Sequence, residues 1–155
     1  MRFPEIAARN CSIARTLSVL GERWTLLLLR QSFLGVKRFD DFQATLAIAR
    51  NTLADRLNTL VDEGVLERRP YQHRPLRHEY KLTQKGRDLY PVLVSLMRWG
   101  DRYNADGGPP VLLVHEPCGH VTDPQLTCSH CGEEIDARAM RPVPGPGALA
   151  PPEAA

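Results

Sequence analysis

Apolar residues recur at helical spacing through the first sixty positions, and then the period changes. Leu17, Leu20, Trp24, Leu27 and Leu28 mark two helices with Gly21 as the break between them. Asp40, Phe42, Leu46 and Ile48 predict a short third helix. Leu53, Leu57, Leu60 and Val61 predict a fourth, ended at Gly64. From Val65 the pattern is that of strands: VLERRP and RHEYKLT flank a loop rich in proline and basic residues. Thr83 is placed to cap a last helix through Leu89, Leu93, Leu96 and Trp99 to about Tyr103, with Pro91 imposing a kink or a late start. The chain therefore reads as mainly α with one small β-hairpin.

Beyond that helix the composition shifts. Residues 104–110, NADGGPP, read as a linker, and residues 111–140 hold three of the four cysteines. Residues 141–155 contain five prolines and little to bury, which predicts a disordered tail. Charge divides along the same line. Residues 1–103 carry eighteen Lys and Arg against eleven Asp and Glu, whereas residues 104–155 carry two against seven. A basic body with an acidic tail favours polyanionic partners such as nucleic acid. No export signal or membrane-length apolar run is visible, so the chain reads as soluble and cytoplasmic, and its cysteines as metal or redox groups rather than structural disulfides.

The basic residues are concentrated. RRPYQHRPLRH, residues 68–78, has four arginines, two histidines and no acid. A short helix, a turn, a second amphipathic helix and a hairpin is the order of a winged helix-turn-helix unit, in which the second helix lies in the major groove of DNA and the hairpin reaches the backbone. Projected on a helix, Leu53, Leu57 and Leu60 centre one face, and Asn51, Asp55, Asn58 and Thr59 fall opposite. Arg50, Thr52 and Arg56 lie on the flanks near its N-terminal end. Such side chains suit base edges and phosphates, although an ordinary surface helix has the same pattern. Arg68, Arg69, His73, Arg74 and Arg77 would meet phosphates, with Pro70 and Pro75 stiffening the loop. A tip kept basic only for solubility would mix signs, and this one does not. Lys37 and Arg38, before the third helix, are either further phosphate contacts or a solvated pair.

Residues 11–103 resemble an HxlR-type, MarR-like winged helix-turn-helix regulator. The matching pieces are Cys11 with its helix, GERWTLLLLR, RFDDF, TLADRLNTLVDEGVLERR and P-x-x-x-E-Y-x-L-T-x-K-G, ahead of a helix ending in Trp99-Gly100. The resemblance implies a homodimer joined through the first and last helices that recognises a two-fold operator in double-stranded DNA, often as a repressor. Ala49 departs from it, standing where the family commonly has a serine able to cap the recognition helix. Some such regulators sense oxidants or electrophiles through a cysteine near Cys11. Here Arg9 and Arg15 would favour its thiolate, while the competing reading is a small residue buried at the dimer seam. Trp24 shares a face with Leu20 and Leu27 and reads as core, and Trp99 as core or interface.

Two later segments share a pattern, His115-Glu-Pro-Cys118-Gly and Cys128-Ser-His-Cys131-Gly. Two soft or borderline ligands three apart, followed by glycine, have the shape of a zinc knuckle, and two knuckles make a closed, structural zinc site. Cys118, Cys128 and Cys131 are the firm ligands. The fourth is His115, His120 or His130, with symmetry favouring His115. The simpler alternative is three free thiols in a loose tail. A nucleobase deaminase would need H-x-E joined to P-C-x-x-C, and neither is present. No clustered acid-base pair, nucleophile motif or phosphate loop points to an enzyme. The other reading is a winged-helix protein-interaction module that docks through the zinc tail.

Overall fold

Helix α1 (Ser12–Leu20) stops at Gly21. The Gly21 N–H donates to the Leu17 carbonyl at 2.8 Å, and a Cβ at Gly21 would run into that same oxygen. Three more helices follow: α2 (Arg23–Phe33), α3 (Phe39–Leu46) and α4 (Arg50–Asp62). Strands β1 (Leu66–His73) and β2 (Leu76–Leu82) form an antiparallel hairpin, and α5 (Gln84–Arg87) and α6 (Tyr90–Tyr103) succeed it. The computed structural model describes residues 10–148. Arg9 and the end of the expected tail, residues 149–155, lie outside the described residues. The chain divides into a unit up to Leu93 and a unit from Val94.

In the first unit the predicted stripes face one another. Leu28, Leu29, Phe42, Leu53, Leu57 and Leu60 are fully buried, with Leu20, Ile48, Val65, Leu66 and Tyr80 around them. Each such aliphatic or aromatic side chain contributes roughly 1.5–3 kcal/mol on burial. Trp24 is half-buried against this core. Leu17 and Leu27 are exposed, since their helices present more apolar surface than this core accepts.

The C-terminal end of α4 is closed by residues from beyond the hairpin. Helix ends leave carbonyls without partners. Here Thr83 Oγ1 donates to the Gly64 carbonyl at 2.7 Å and accepts the Gly86 N–H at 3.1 Å, while Lys85 Nζ donates to the Glu63 carbonyl at 2.6 Å. Gly64, at φ 67°, makes the turn out of the helix. Gly86 is buried, and a Cβ there would collide with the Val65 carbonyl oxygen and meet Leu82 Cδ2 at 3.0 Å. The LTQKG stretch is thus the joint between α4 and the hairpin.

Three expectations need correction. The hairpin has no long loop: the strands continue through the basic stretch, leaving Arg74 and Pro75, joined by a cis peptide, as the turn, with a bulge between Pro70 and Gln72. Pro70 is accepted because it lies in an edge strand, where a missing N–H breaks no ladder. The last helix is two pieces, and Pro91 falls at the second position of α6, where its lack of an N–H is harmless. Ile48 lies after α3 rather than within it, buried in the turn that Ala47 opens at φ 48°.

In the second unit, α6 leads through residues 104–110, which form no helix or strand, to the hairpin of β3 (Leu113–His115) and β4 (His120–Thr122). A second turn is closed by the bridge between Thr127 and Glu134. No described residue from Val94 onward is fully buried. Arg98 joins the two turns. Its Nε and Nη2 donate to Asp123 at 2.9 and 3.2 Å, and its Nη1 donates to Glu134 at 3.2 Å. These two carboxylates hold the Arg98 guanidinium more firmly in its charged form. Among the described residues no helix is long and apolar enough to cross a membrane.

Candidate nucleic-acid interface

A single β-bridge ties the root of the hairpin to the segment before α3. The Tyr80 N–H donates to the Lys37 carbonyl at 2.7 Å, and Arg38 pairs with Glu79 as an antiparallel bridge. Lys37 and Arg38 are therefore part of the wing, and β2 lies between them and β1. The Arg38 guanidinium sits over the Tyr71 ring, 4.6 Å from its centroid, a cation–π contact that holds the cation extended. Glu79 accepts a hydrogen bond from Lys81 Nζ at 2.7 Å. That bond, with the charges of Lys81, Lys37 and Arg38, holds its carboxyl below the ordinary carboxylate range. Acid is thus confined to the root.

Elsewhere on the hairpin little of the positive charge is compensated. Arg69 meets Glu67 at 2.7 Å, an exposed pair of small energetic value. Arg68, His73, Arg74 and Arg77 are exposed. Among the described residues no ion pair or hydrogen bond engages the guanidinium groups of Arg68, Arg74 and Arg77. Proteins stabilise a bare cationic edge of this kind poorly by themselves, whereas phosphates satisfy it with release of counterions.

Helix α4 begins at Ala49, which is extended and makes no side-chain cap, as an alanine must. Arg50 is instead fixed from below: its guanidinium lies over the Phe39 ring at 4.8 Å and 3.8 Å from the Asp40 carboxylate. Asn51 and Asp55 are exposed on the first two turns, and Thr52 is half-buried. Arg56 is also half-buried, with its Nε buried and without a hydrogen-bond partner, so its stem lies against the protein. Thr59 is turned back, its hydroxyl donating to the Asp55 carbonyl at 2.9 Å. Tyr71 and Phe39, which carry the two stacked arginines, are functional candidates that sequence reasoning missed. The available signal was an aromatic residue inside or beside each basic run, RRPYQHR and KRF.

The other predicted sites lie on other elements. Cys11 is exposed at the N-cap of α1. His115 Nδ1 lies 3.3 Å from Cys118 Sγ. Cys128 Sγ receives the backbone N–H groups of Cys131 and His130 and a hydrogen bond from the Cys131 side chain, which together bring its thiol below the usual range. The four residues form two pairs. Among the described residues no group of three or more His, Cys, Asp or Glu side chains is arranged to hold a metal ion.

Comparison with known proteins agrees with this architecture. The HxlR-like helix-turn-helix model matches residues 19–107. Rv3095 of Mycobacterium tuberculosis, an uncharacterized HTH-type transcriptional regulator, is 53% identical over 137 residues, covering 88% of this chain and 87% of its own length. The crystal structure of PA1607, described as a transcription-factor candidate, superposes with a TM-score of 0.80 at 35% identity, covering 90% of this chain and 98% of that one. The reduced form of the redox regulator HypR superposes with a TM-score of 0.57 at 30% identity, covering 61% of this chain and 95% of that one. A helix-turn-helix, a basic two-stranded wing and these matches agree: the chain belongs to the HxlR-like helix-turn-helix family.

Proposed function

We propose that the chain is a transcriptional regulator that binds a two-fold operator in duplex DNA as a homodimer and represses the genes it controls. The observation that carries the reading is the row of unpaired arginines, Arg68, Arg74 and Arg77, on a hairpin hydrogen-bonded to the segment before α3. In this arrangement α4 presents Arg50, Asn51, Thr52 and Asp55 to base edges in the major groove, and the wing grips flanking phosphates. Pairing of copies is supported by apolar residues left at the surface of two helices. Ile13 and Leu17 are exposed on α1, and Leu96, Trp99 and Tyr103 on α6. Cys11 supplies a route for oxidant or electrophile control, since it is exposed at the start of α1 and a redox regulator, HypR, has a related fold.

The test is binding to duplexes from the promoter next to the gene, with competitor DNA, across a range of salt. Specific binding that weakens steeply with salt supports the reading. In the double variant Arg74→Ala/Arg77→Ala, affinity falls for all sequences. If each arginine meets one phosphate, the log–log salt slope flattens by roughly 3.6 over two copies. Asn51→Ala instead changes base preference. If the protein shows no duplex binding even in dilute buffer, the proposal fails. Binding equal before and after thiol oxidation rejects the role of Cys11 alone.

A further inference from the structure

The C-terminal unit holds a set of soft donors that DNA binding does not use. Its two turns fold alike. In the first, the Cys118 and Gly119 N–H groups both donate to the His115 carbonyl, at 3.0 and 2.8 Å, and Gly119 has φ 70°. In the second, the Gly132 N–H donates to the Cys128 carbonyl at 2.9 Å and Gly132 has φ 78°. Both turns close on a pair of metal-type donors. The 3.3 Å between His115 Nδ1 and Cys118 Sγ is close to the roughly 3.5 Å that two such ligands span around a tetrahedral zinc. In the other turn, the amides of His130 and Cys131 aim at Cys128 Sγ, the way a knuckle stabilises a bound thiolate.

Two further observations concern the same unit. One guanidinium, Arg98, binds a carboxylate at the foot of each turn, Asp123 after β4 and Glu134 in the bridge with Thr127. The bases of the turns are thereby held side by side. The unit also has no fully buried described residue, and a segment this small without a core needs a crosslink to hold one structure.

We propose that His115, Cys118, Cys128 and Cys131 form a structural zinc site, each turn supplying one pair. The turns as described are two half-sites, and the ion joins them. Four protein ligands leave no position for a substrate, so the ion's role is to order the unit next to α6. His115 is assigned as the fourth ligand because its ring nitrogen already faces Cys118 Sγ, which gives the first turn the same two-donor pairing as the second. His130 contributes its amide to Cys128 rather than its ring.

The full-length protein, purified with and without chelator, tests this without reference to DNA. One zinc per chain is expected by elemental analysis. The cobalt(II) form is expected to show strong thiolate-to-metal absorption with tetrahedral ligand-field bands. Cys128→Ser and Cys131→Ser each weaken or remove the thiolate bands, and so does His115→Ala, while His120→Ala leaves them in place. Substoichiometric zinc in the wild-type chain, or cobalt without thiolate bands, overturns the site. Neither measurement depends on a variant folding. Bands left unchanged in intensity by Cys128→Ser and by Cys131→Ser also overturn it. Loss with His120→Ala but not with His115→Ala overturns the assignment of the fourth ligand.

Discussion

Replacing Gly86 with alanine tests the joint between α4 and the wing. The residue is buried directly after the Thr83 cap, and its added methyl would collide with the Val65 carbonyl oxygen and press on Leu82 Cδ2 at 3.0 Å. Overpacking of this type costs about 1–3 kcal/mol. The upper part of that range applies, because the obstructing atom belongs to the backbone and cannot rotate aside. The same carbonyl accepts the Thr83 N–H at 3.1 Å, so any relief displaces β2 from the end of α4. At about 4–8 °C per kcal/mol for a domain of this size, the melting temperature falls by roughly 10–20 °C. Urea unfolding followed by circular dichroism reads the stability, and duplex binding of the folded fraction reads the wing. Gly64→Ala is the control. Nothing lies within 4 Å of its added Cβ and only φ 67° opposes it, so its cost is about 1 kcal/mol. A Gly86→Ala protein as stable as the wild type, or no less stable than Gly64→Ala, would refute the reasoning.

Other outcomes follow from single features. Trp99→Glu places a charge on the exposed apolar face of α6; if the proposed homodimer forms through that face, light scattering is expected to show a shift from dimer to monomer with folding intact. Ala47 holds φ 48°, a region unfavourable to a side chain, so Ala47→Gly is expected to raise the unfolding free energy by about 1 kcal/mol, read as a higher urea midpoint. Glu79 has its carboxyl lowered from the ordinary 4.5 by Lys81, Lys37 and Arg38. Its contribution is therefore complete above that value and is lost as pH falls below it. Wild type and Glu79→Gln are accordingly expected to differ in stability near neutral pH and to converge in acid, which a urea titration across pH measures.

The parts legible in the sequence are those that local chemistry decides. Leucine stripes gave the helices, and Gly21, Gly64 and Thr83 marked their ends for reasons the structure repeats. The wing's length was hidden because RRPYQHR lacks apolar alternation and its prolines resemble loop markers. It is a strand only because β2 supplies partners and because the other edge of β1 is open. The bridge at Lys37 and Arg38 could not be read at all, since two residues carry no period and the pairing is with Glu79 and Tyr80, some forty positions away. At the candidate interface, the arginines were conspicuous by composition. Their restraints on Tyr71 and Phe39 depend on packing, as does the inward fold of Arg56.

The bond from Tyr80 to Lys37 has a mechanical consequence. The hairpin is stitched both to the end of α4 and to the residues that lead into α3, so it cannot swing aside without dragging α4 along. Each copy is then a stiff caliper, whose jaws keep one fixed gap. In the homodimer proposed above, a signal that released DNA would have to act on how two calipers are spaced or tilted against each other, rather than on either one alone.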